Sequence, residues 1–131
     1  MKPKWLSRNL VVGPHLVLVT SEVQFRQVLK SLKSKIVTRW IGSRAIATTT
    51  MFDAPNGKSV CIVSLNPDKL EDMDPIDVAT VLVHEAVHVF QQHCKDMGEE
   101  HPSEEFEAYS IQHISQQLMV AYRDNPARPK I

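Results

Sequence analysis

The pentapeptide His84-Glu85-Ala86-Val87-His88 is the feature that most constrains this chain. On an α-helix, residues four apart differ by about 40° in azimuth, so the two histidines share a face and can bind one ion. Glu85 lies beside them, where its carboxylate can take a proton from a water molecule at an open metal position. Two imidazoles and one carboxylate form a catalytic zinc site. The pattern predicts Zn²⁺ as cofactor, His84 and His88 as ligands and Glu85 as the catalytic base.

The residues around the motif predict one long helix over 75–97. Asp74 suits the N-cap, Pro75 the first helical position, and Gly98 the end of the helix. Apolar residues occupy most of the circumference, which predicts a helix buried on several sides. Histidines in such a helix need polar partners, because an unpaired polar group there costs roughly a few kcal/mol. An alternative interpretation is therefore that both are core histidines bonded to backbone carbonyls.

The third metal ligand is expected from a second helix that begins after Ser103. Glu104 and Glu107 are three apart and share a face, whereas Glu105 points elsewhere. Acidic residues in a first turn also stabilise the helix dipole, and that explanation fits Glu104 and Glu105 better than Glu107. Glu107 is the predicted third ligand, with Glu104 as the alternative.

The pattern His84-Glu85-x-x-His88, followed by Glu107-Ala108 in the next helix, resembles the gluzincin metallopeptidases. In that family two histidines and a glutamate from a second helix bind zinc. The distance along the chain from His88 to Glu107 is similar to that in thermolysin-like enzymes. The resemblance implies a zinc-dependent metallopeptidase, a hydrolase that acts on a protein or peptide substrate.

Residues 59–112 also resemble the ImmA and IrrE type of metallopeptidase. In that type a strand ending near an Asn-Pro pair precedes the active-site helix, as at Cys61-Ile62-Val63-Ser64-Leu65-Asn66-Pro67. Small metallopeptidases of this kind are common on phages and mobile elements, so the resemblance implies a phage-encoded protease.

Other zincin families fit the chain less well. Thermolysin-like enzymes carry an acid four residues after the ligand glutamate, where this chain has Ile111, so support for a ligand histidine must come from elsewhere. Metzincins require a glycine and a later histidine at the positions of Gln91 and Cys94. SprT-like proteases take a third histidine from a downstream helix, which would be His113. Glu107 and His113 differ by about 120° in azimuth, so they cannot both face one metal from one helix.

The remaining segments predict an α+β fold in a single domain over residues 1–131. The resemblance implies a minimal zincin-like version, with a small, mostly antiparallel sheet packed on the active-site helix and the glutamate-bearing helix. In zincins a peptide lies along an exposed sheet edge, and the hairpin strands are the candidates here. The elements expected before the motif are a buried strand at 16–20, a capped helix at 21–33, a strand or helix exit at 36–41, and hairpin strands at 45–52 and 59–65 around an Asn-Gly turn. A polar connection is expected at 66–73 and a disordered tail at about 124–131.

Length and composition limit the class of protein. A chain of 131 residues suits one domain, and it contains no apolar run near the roughly 18 residues that span a bilayer. The first residues begin like a signal peptide, but Arg8 and Gly13 interrupt the apolar stretch. We therefore expect a cytoplasmic protein without membrane contact, in which Cys61 and Cys94 are reduced, buried thiols.

Charge is distributed unevenly along the chain, although the net charge is zero. Residues 1–52 carry a net charge of plus eight and residues 53–131 a net charge of minus eight. The simplest explanation is attraction between the two halves of one fold. A basic face is the alternative, formed by Arg26, Lys30, Lys33, Lys35, Arg39 and Arg44. No nucleic-acid motif supports a nucleic-acid partner for this face.

Three functions are compatible with these patterns. The first is the zinc metallopeptidase described above. The second is a catalytically inactive protein that keeps a zincin fold and uses the metal for stability. The third is a nucleic-acid-associated protease in the manner of SprT, which requires DNA binding with a steep salt dependence. The sequence contains no signal for oligomeric state or for a particular substrate.

Overall fold

The computed structural model describes residues 3–6, 15–34, 40, 45–55 and 57–125. Within these ranges the chain forms four helices and one sheet of four strands, which confirms the α+β class. In chain order the elements are β1 (Trp5–Leu6), β2 (His15–Val19), α1 (Glu22–Ser31), β3 (Ala47–Asp53), β4 (Ser59–Leu65), α2 (Pro67–Leu70), α3 (Pro75–Met97) and α4 (Glu104–Asp124).

The sheet has the strand order β1-β2-β4-β3. Strands β3 and β4 form the expected antiparallel hairpin, and β1 pairs antiparallel with β2. The central pair, β2 and β4, is parallel and was not predicted, so the sheet is mixed. The other two of its three described pairings are antiparallel, in agreement with the expectation of a mostly antiparallel sheet. A parallel pair needs a long crossover, which α1 and β3 provide between β2 and β4. The order leaves β3 at one edge of the described sheet.

The two central strands are buried on both faces, which explains why most of their residues are apolar. One face packs with α3 and α4, and its buried strand residues are Leu16, Leu18, Cys61, Val63 and Leu65. The other face packs with α1, and its buried strand residues are Val17, Val19, Val60 and Ile62. The domain therefore has three layers, with α3 and α4 on one side of the sheet and α1 on the other.

Both ends of α3 are those predicted from the sequence. The Asp74 side chain accepts a hydrogen bond of 2.8 Å from the Ile76 N–H. At the other end Gly98 adopts a left-handed conformation with φ of 70°, and Glu99 N–H donates to the Cys94 carbonyl at 2.9 Å. These bonds form a C-terminal cap of the Schellman type, which favours glycine because a Cβ is strained at positive φ.

Helix α4 follows after a short connection and packs along α3. The Ser103 hydroxyl accepts a hydrogen bond from the Phe106 N–H at 3.3 Å, which confirms the predicted cap. The Phe106 ring then contacts Phe90, with 5.7 Å between ring centroids. Farther along, Ile114 and Leu118 join the same core as α3. In the described part of the chain, no helix is both long enough and apolar enough to cross a bilayer.

Several local predictions were wrong or lie outside the described residues. Strand β1 was not predicted, because two residues are too few to show a periodicity. Helix α2 lies in the segment predicted as a polar connection, and the Asn66 side chain caps it. Helix α4 ends at Asp124, next to the start predicted for the tail at about residue 124. Most of the 36–41 element, and the tail over 126–131, fall outside the described residues.

Candidate functional site

His84 and His88 lie together on the exposed side of α3. Their Nε2 atoms are 3.2 Å apart, and the rings meet edge to face with centroids 4.9 Å apart. Helix α3 buries one side rather than several, and its buried residues are Val78, Leu82, Glu85, Ala86, Val89, Phe90 and Cys94. The expectation of a helix buried on several sides was therefore wrong, and so was the alternative of two core histidines. Apolar residues such as Ile76 and Val83 are in part exposed, which periodicity alone did not reveal.

The distance between the two Nε2 atoms fits a pair of metal ligands. Zinc binds imidazole nitrogen at about 2.0–2.1 Å with tetrahedral angles, which places two such nitrogens about 3.3 Å apart. The observed 3.2 Å matches this value without movement of the backbone. The same distance also suits a hydrogen bond between two neutral rings, one donating and the other accepting.

Gln91 contacts the opposite edge of the His88 ring. Its Oε1 atom is 3.2 Å from His88 Nδ1. At the sequence level Gln91 counted only as a residue that excludes the metzincin pattern. The spacing of three residues between His88 and Gln91 could have predicted this contact, because side chains three apart on a helix are neighbours.

Glu85 occupies the boundary between the core and the histidine pair. It is 5% exposed, and its Oε2 atom accepts a hydrogen bond from the Thr49 hydroxyl at 2.5 Å. Thr49 belongs to β3, so this bond connects α3 to the edge strand. A charge-assisted bond to a carboxylate is short and strong, and it holds the side chain in one orientation.

An open groove of about 470 Å³ runs between β3 and α3 beside these residues. Its lining residues are Ala45, Ile46, Ala47, Thr80, Val81, His84 and Glu85. One wall is therefore the start of the edge strand, and the other wall carries a candidate ligand and the candidate base. An extended chain placed in this groove would lie next to both.

Glu107 lies apart from the histidine pair. Its side chain is exposed and borders a second groove of about 580 Å³ between the end of α3 and the start of α4, which Gln91 also lines. Among the described residues, no group of three or more His, Cys, Asp or Glu side chains is positioned to hold a metal. The structure thus brings His84, His88 and Glu85 together but does not gather Glu107 with them. The ligand role of Glu107 stays a prediction, as does that of the exposed Glu104.

The two cysteines are not suited to metal binding or nucleophilic chemistry. Burial raises the pKa of Cys61 to about 12, and the charge of Asp96 acts in the same direction. Burial also raises the pKa of Cys94, with contributions from Glu99 and Glu107. Because the thiolate is the ligand and the nucleophile, both residues are inert thiols at neutral pH.

His93 is separate from the histidine pair on α3. Burial lowers its pKa, although the nearby Asp96 acts in the opposite direction. Its Nδ1 atom is buried and has no hydrogen-bond partner within the described ranges. The ring is therefore neutral at pH 7 and belongs to the packing of the domain.

The predicted basic face is only in part described. Lys30 and Lys33 are exposed at the end of α1, and Arg26 forms a 3.4 Å ion pair with Glu22. The other three members of this face fall in the ranges 35–39 and 41–44, outside the described residues. Exposed surface ion pairs of this kind contribute little to stability.

Comparisons with known proteins identify no family for this chain. No family model matches the chain, and neither does any curated protein or solved structure. The functional interpretation therefore depends on the residues of the site itself.

Proposed function

We propose that this chain is a zinc-dependent metallopeptidase on a zincin-like variant of the α+β fold. In this proposal His84 and His88 hold the zinc ion, Glu85 is the general base and Glu107 supplies the third ligand. The observation that carries the proposal is the 3.2 Å separation of the two imidazole Nε2 atoms, which fits one tetrahedral ion.

When bound, zinc supplies Lewis-acid chemistry, which lowers the pKa of a water molecule and polarises a carbonyl group. Glu85 accepts the proton that the water loses as its oxygen bonds to the peptide carbonyl carbon. The same carboxylate then gives that proton to the peptide nitrogen as the C–N bond breaks, so that one water is consumed and two termini are produced. The Thr49 hydroxyl orients Glu85 throughout, through the 2.5 Å hydrogen bond.

The substrate in this proposal is an extended peptide that adds to the edge of β3. Strand addition uses backbone hydrogen bonds, which fix the register of the peptide against the strand. The position of β3 at the edge of the described sheet supports this mode, as does the groove beside His84 and Glu85. The peptide bond to be cleaved would then lie close to the base.

The choice of Glu107 over Glu104 is supported by the groove between the end of α3 and the start of α4, because Glu107 borders it. Both glutamates share the helix face of Ile111, Ile114 and Leu118, and Ile114 and Leu118 are buried in the core that α4 shares with α3. The groove that Glu107 borders is also lined by Gln91, the neighbour of His88. Glu107 can act as a ligand together with the two histidines only if its carboxylate moves out of this groove. The zinc affinity of a Glu107 variant therefore tests whether it is a ligand.

The experiment measures zinc content and hydrolysis of labelled, denatured casein for wild type, Glu85→Gln and Glu107→Ala. We expect one zinc per chain in the wild type and in Glu85→Gln. Cleavage should fall by about 10²–10⁴-fold in Glu85→Gln, because the general base is lost. Glu107→Ala should lower zinc affinity, whereas Glu104→Ala should not. Glu105→Gln is the matched control for the charge change and should keep full activity.

Two results would contradict the proposal. Wild-type protein that does not bind zinc stoichiometrically would exclude a metallopeptidase. Equal cleavage rates for wild type and Glu85→Gln would exclude Glu85 as the base. Unchanged zinc affinity in Glu107→Ala would remove only the third ligand from the assignment.

A second candidate function is a non-catalytic protein that binds zinc for stability. The burial of Glu85, which is 5% exposed, favours it, because a general base has to reach a water molecule at the metal. The Thr49–Glu85 hydrogen bond would then be a structural contact in the core. Zinc binding that raises thermal stability, with no hydrolysis by the wild type, would select this function over the first.

A further inference from the structure

We propose that Gln91 is the positioning residue for His88, and that its side-chain carbonyl holds the imidazole in the tautomer that leaves Nε2 free for zinc. This inference rests on the proposed zinc site and deepens it. A histidine that binds a metal usually donates its second ring N–H to an acceptor, which fixes the tautomer and the orientation of the ring.

The contact that supports the proposal is the 3.2 Å distance between Gln91 Oε1 and His88 Nδ1. We assign the proton to Nδ1, because a carbonyl oxygen that faces the ring can only accept a hydrogen bond. A neutral imidazole has one N–H, which leaves the lone pair on Nε2. Hydrogen bonding at one ring nitrogen thus determines which nitrogen is free to bind a metal.

His84 then has the opposite tautomer in the metal-free protein. Its Nε2 atom lies 3.2 Å from the bare Nε2 of His88, so it carries a proton and donates it. His88 is therefore prepared for the metal and His84 is not. Before His84 can bind the same ion, its proton must move from Nε2 to Nδ1 through solvent, and the exposure of His84 allows this.

The neighbouring Gln92 shows that not every glutamine on α3 can have this role. Its Nε2 atom donates to the Asp96 Oδ1 atom at 2.9 Å, one turn toward the C-terminus. Gln92 has the same side chain on the same helix, but its amide group bonds to Asp96. It is therefore the matched control for a substitution at position 91.

The experiment uses full-length, ¹⁵N-labelled protein without metal, at a pH where the imidazoles are neutral. Two-bond ¹H–¹⁵N spectra should show His88 protonated on Nδ1 and unprotonated on Nε2, and His84 with the reverse pattern. In Gln91→Met the preference of His88 for the Nδ1–H form should be lost. Zinc affinity, measured by competition with a chelating dye, should fall by about 10-fold or more, as is typical when a partner of a ligand histidine is removed.

Gln91→Glu keeps an acceptor at the same position and should restore both the tautomer and the zinc affinity. Gln92→Met should change neither. The inference is overturned if His88 carries its proton on Nε2 in the wild type, or if Gln91→Met binds zinc as the wild type does. If the wild type binds no zinc, the proposed function fails, but the metal-free spectrum still decides the role of Gln91.

Discussion

The two sides of α3 differ in what they contribute to the protein. The side that faces the sheet and α4 carries Leu82, Ala86 and Val89, each at most 1% exposed. The solvent side carries His84, His88 and Gln91, all exposed. Burial of large apolar side chains provides most of the folding free energy, whereas exposed polar residues provide little. The candidate ligands can therefore be substituted with little loss of stability, whereas the core residues cannot.

Glu85 is the exception, because it is a candidate site residue on the buried side. Its carboxylate needs a hydrogen-bond donor there, since a buried polar group without a partner is costly. Thr49 supplies that donor. Stability and function are therefore coupled at Glu85 but separable at the histidines.

The largest effect on stability is expected from Leu82→Ala. Leu82 is 1% exposed, and removal of such a side chain should lower the free energy of unfolding by about 2–5 kcal/mol. Val83 is the matched control, because it is the next residue and is 37% exposed. Val83→Ala should cost less than about 1 kcal/mol in urea unfolding. Equal losses in the two variants would contradict the assignment of the two sides.

A smaller effect is expected from Thr49→Val, which keeps the shape of the side chain but removes the donor to Glu85. The variant should lose about 1–3 kcal/mol of unfolding free energy, because the buried carboxylate is left without its partner. Thr48→Val changes the adjacent residue of β3, whose side chain points to the opposite face, and should be nearly neutral. A neutral Thr49→Val would show that the bond to Glu85 contributes nothing to folding.

The smallest expected effect is the contribution of His93 to the pH dependence of the free energy of unfolding. Its pKa is lower in the folded protein than its ordinary value of 6.5, so the unfolded chain binds the proton more readily. The contribution to stability is complete above about pH 6.5 and is lost as the pH falls through that value toward the folded pKa. Metal-free wild type should lose stability between pH 8 and pH 5 more steeply than His93→Gln. His101→Gln, at an exposed histidine, is the control. If the stability of His93→Gln depends on pH as steeply as that of the wild type, His93 is not the cause of the pH dependence.

Local sequence signals predicted the elements that hold the site. The caps at Asp74 and Gly98 gave both ends of α3, and Ser103 gave the start of α4, because caps satisfy backbone groups next to them in the chain. The β3–β4 hairpin was also predicted, since a short turn pairs adjacent strands. The parallel pairing of β2 with β4 was missed, because it joins segments that are far apart in the sequence.

The candidate site was predictable only as far as one helix determines it. The four-residue spacing of His84 and His88 was enough to bring the two rings together. The partners of these residues were less accessible to sequence reasoning. Thr49 comes from a strand 36 residues away from Glu85, and the position of Glu107 depends on how α4 packs against α3. Of His84, Glu85 and His88, only Glu85 is buried, and this difference also depends on how α3 packs in the domain.

The far end of α4 is tied to the opposite side of the domain. Asn125, directly after the helix, exchanges hydrogen bonds of 3.3 and 3.4 Å with Gln24 of α1, and Gln24 also accepts from the Thr20 N–H at 2.9 Å. Together with buried Leu118, this pair of side chains holds the end of α4 against α1, while the Phe106–Phe90 contact holds its first turn, which carries Glu107, against α3. Because both ends of α4 are held, the packing of the domain fixes where the backbone of Glu107 lies relative to α3.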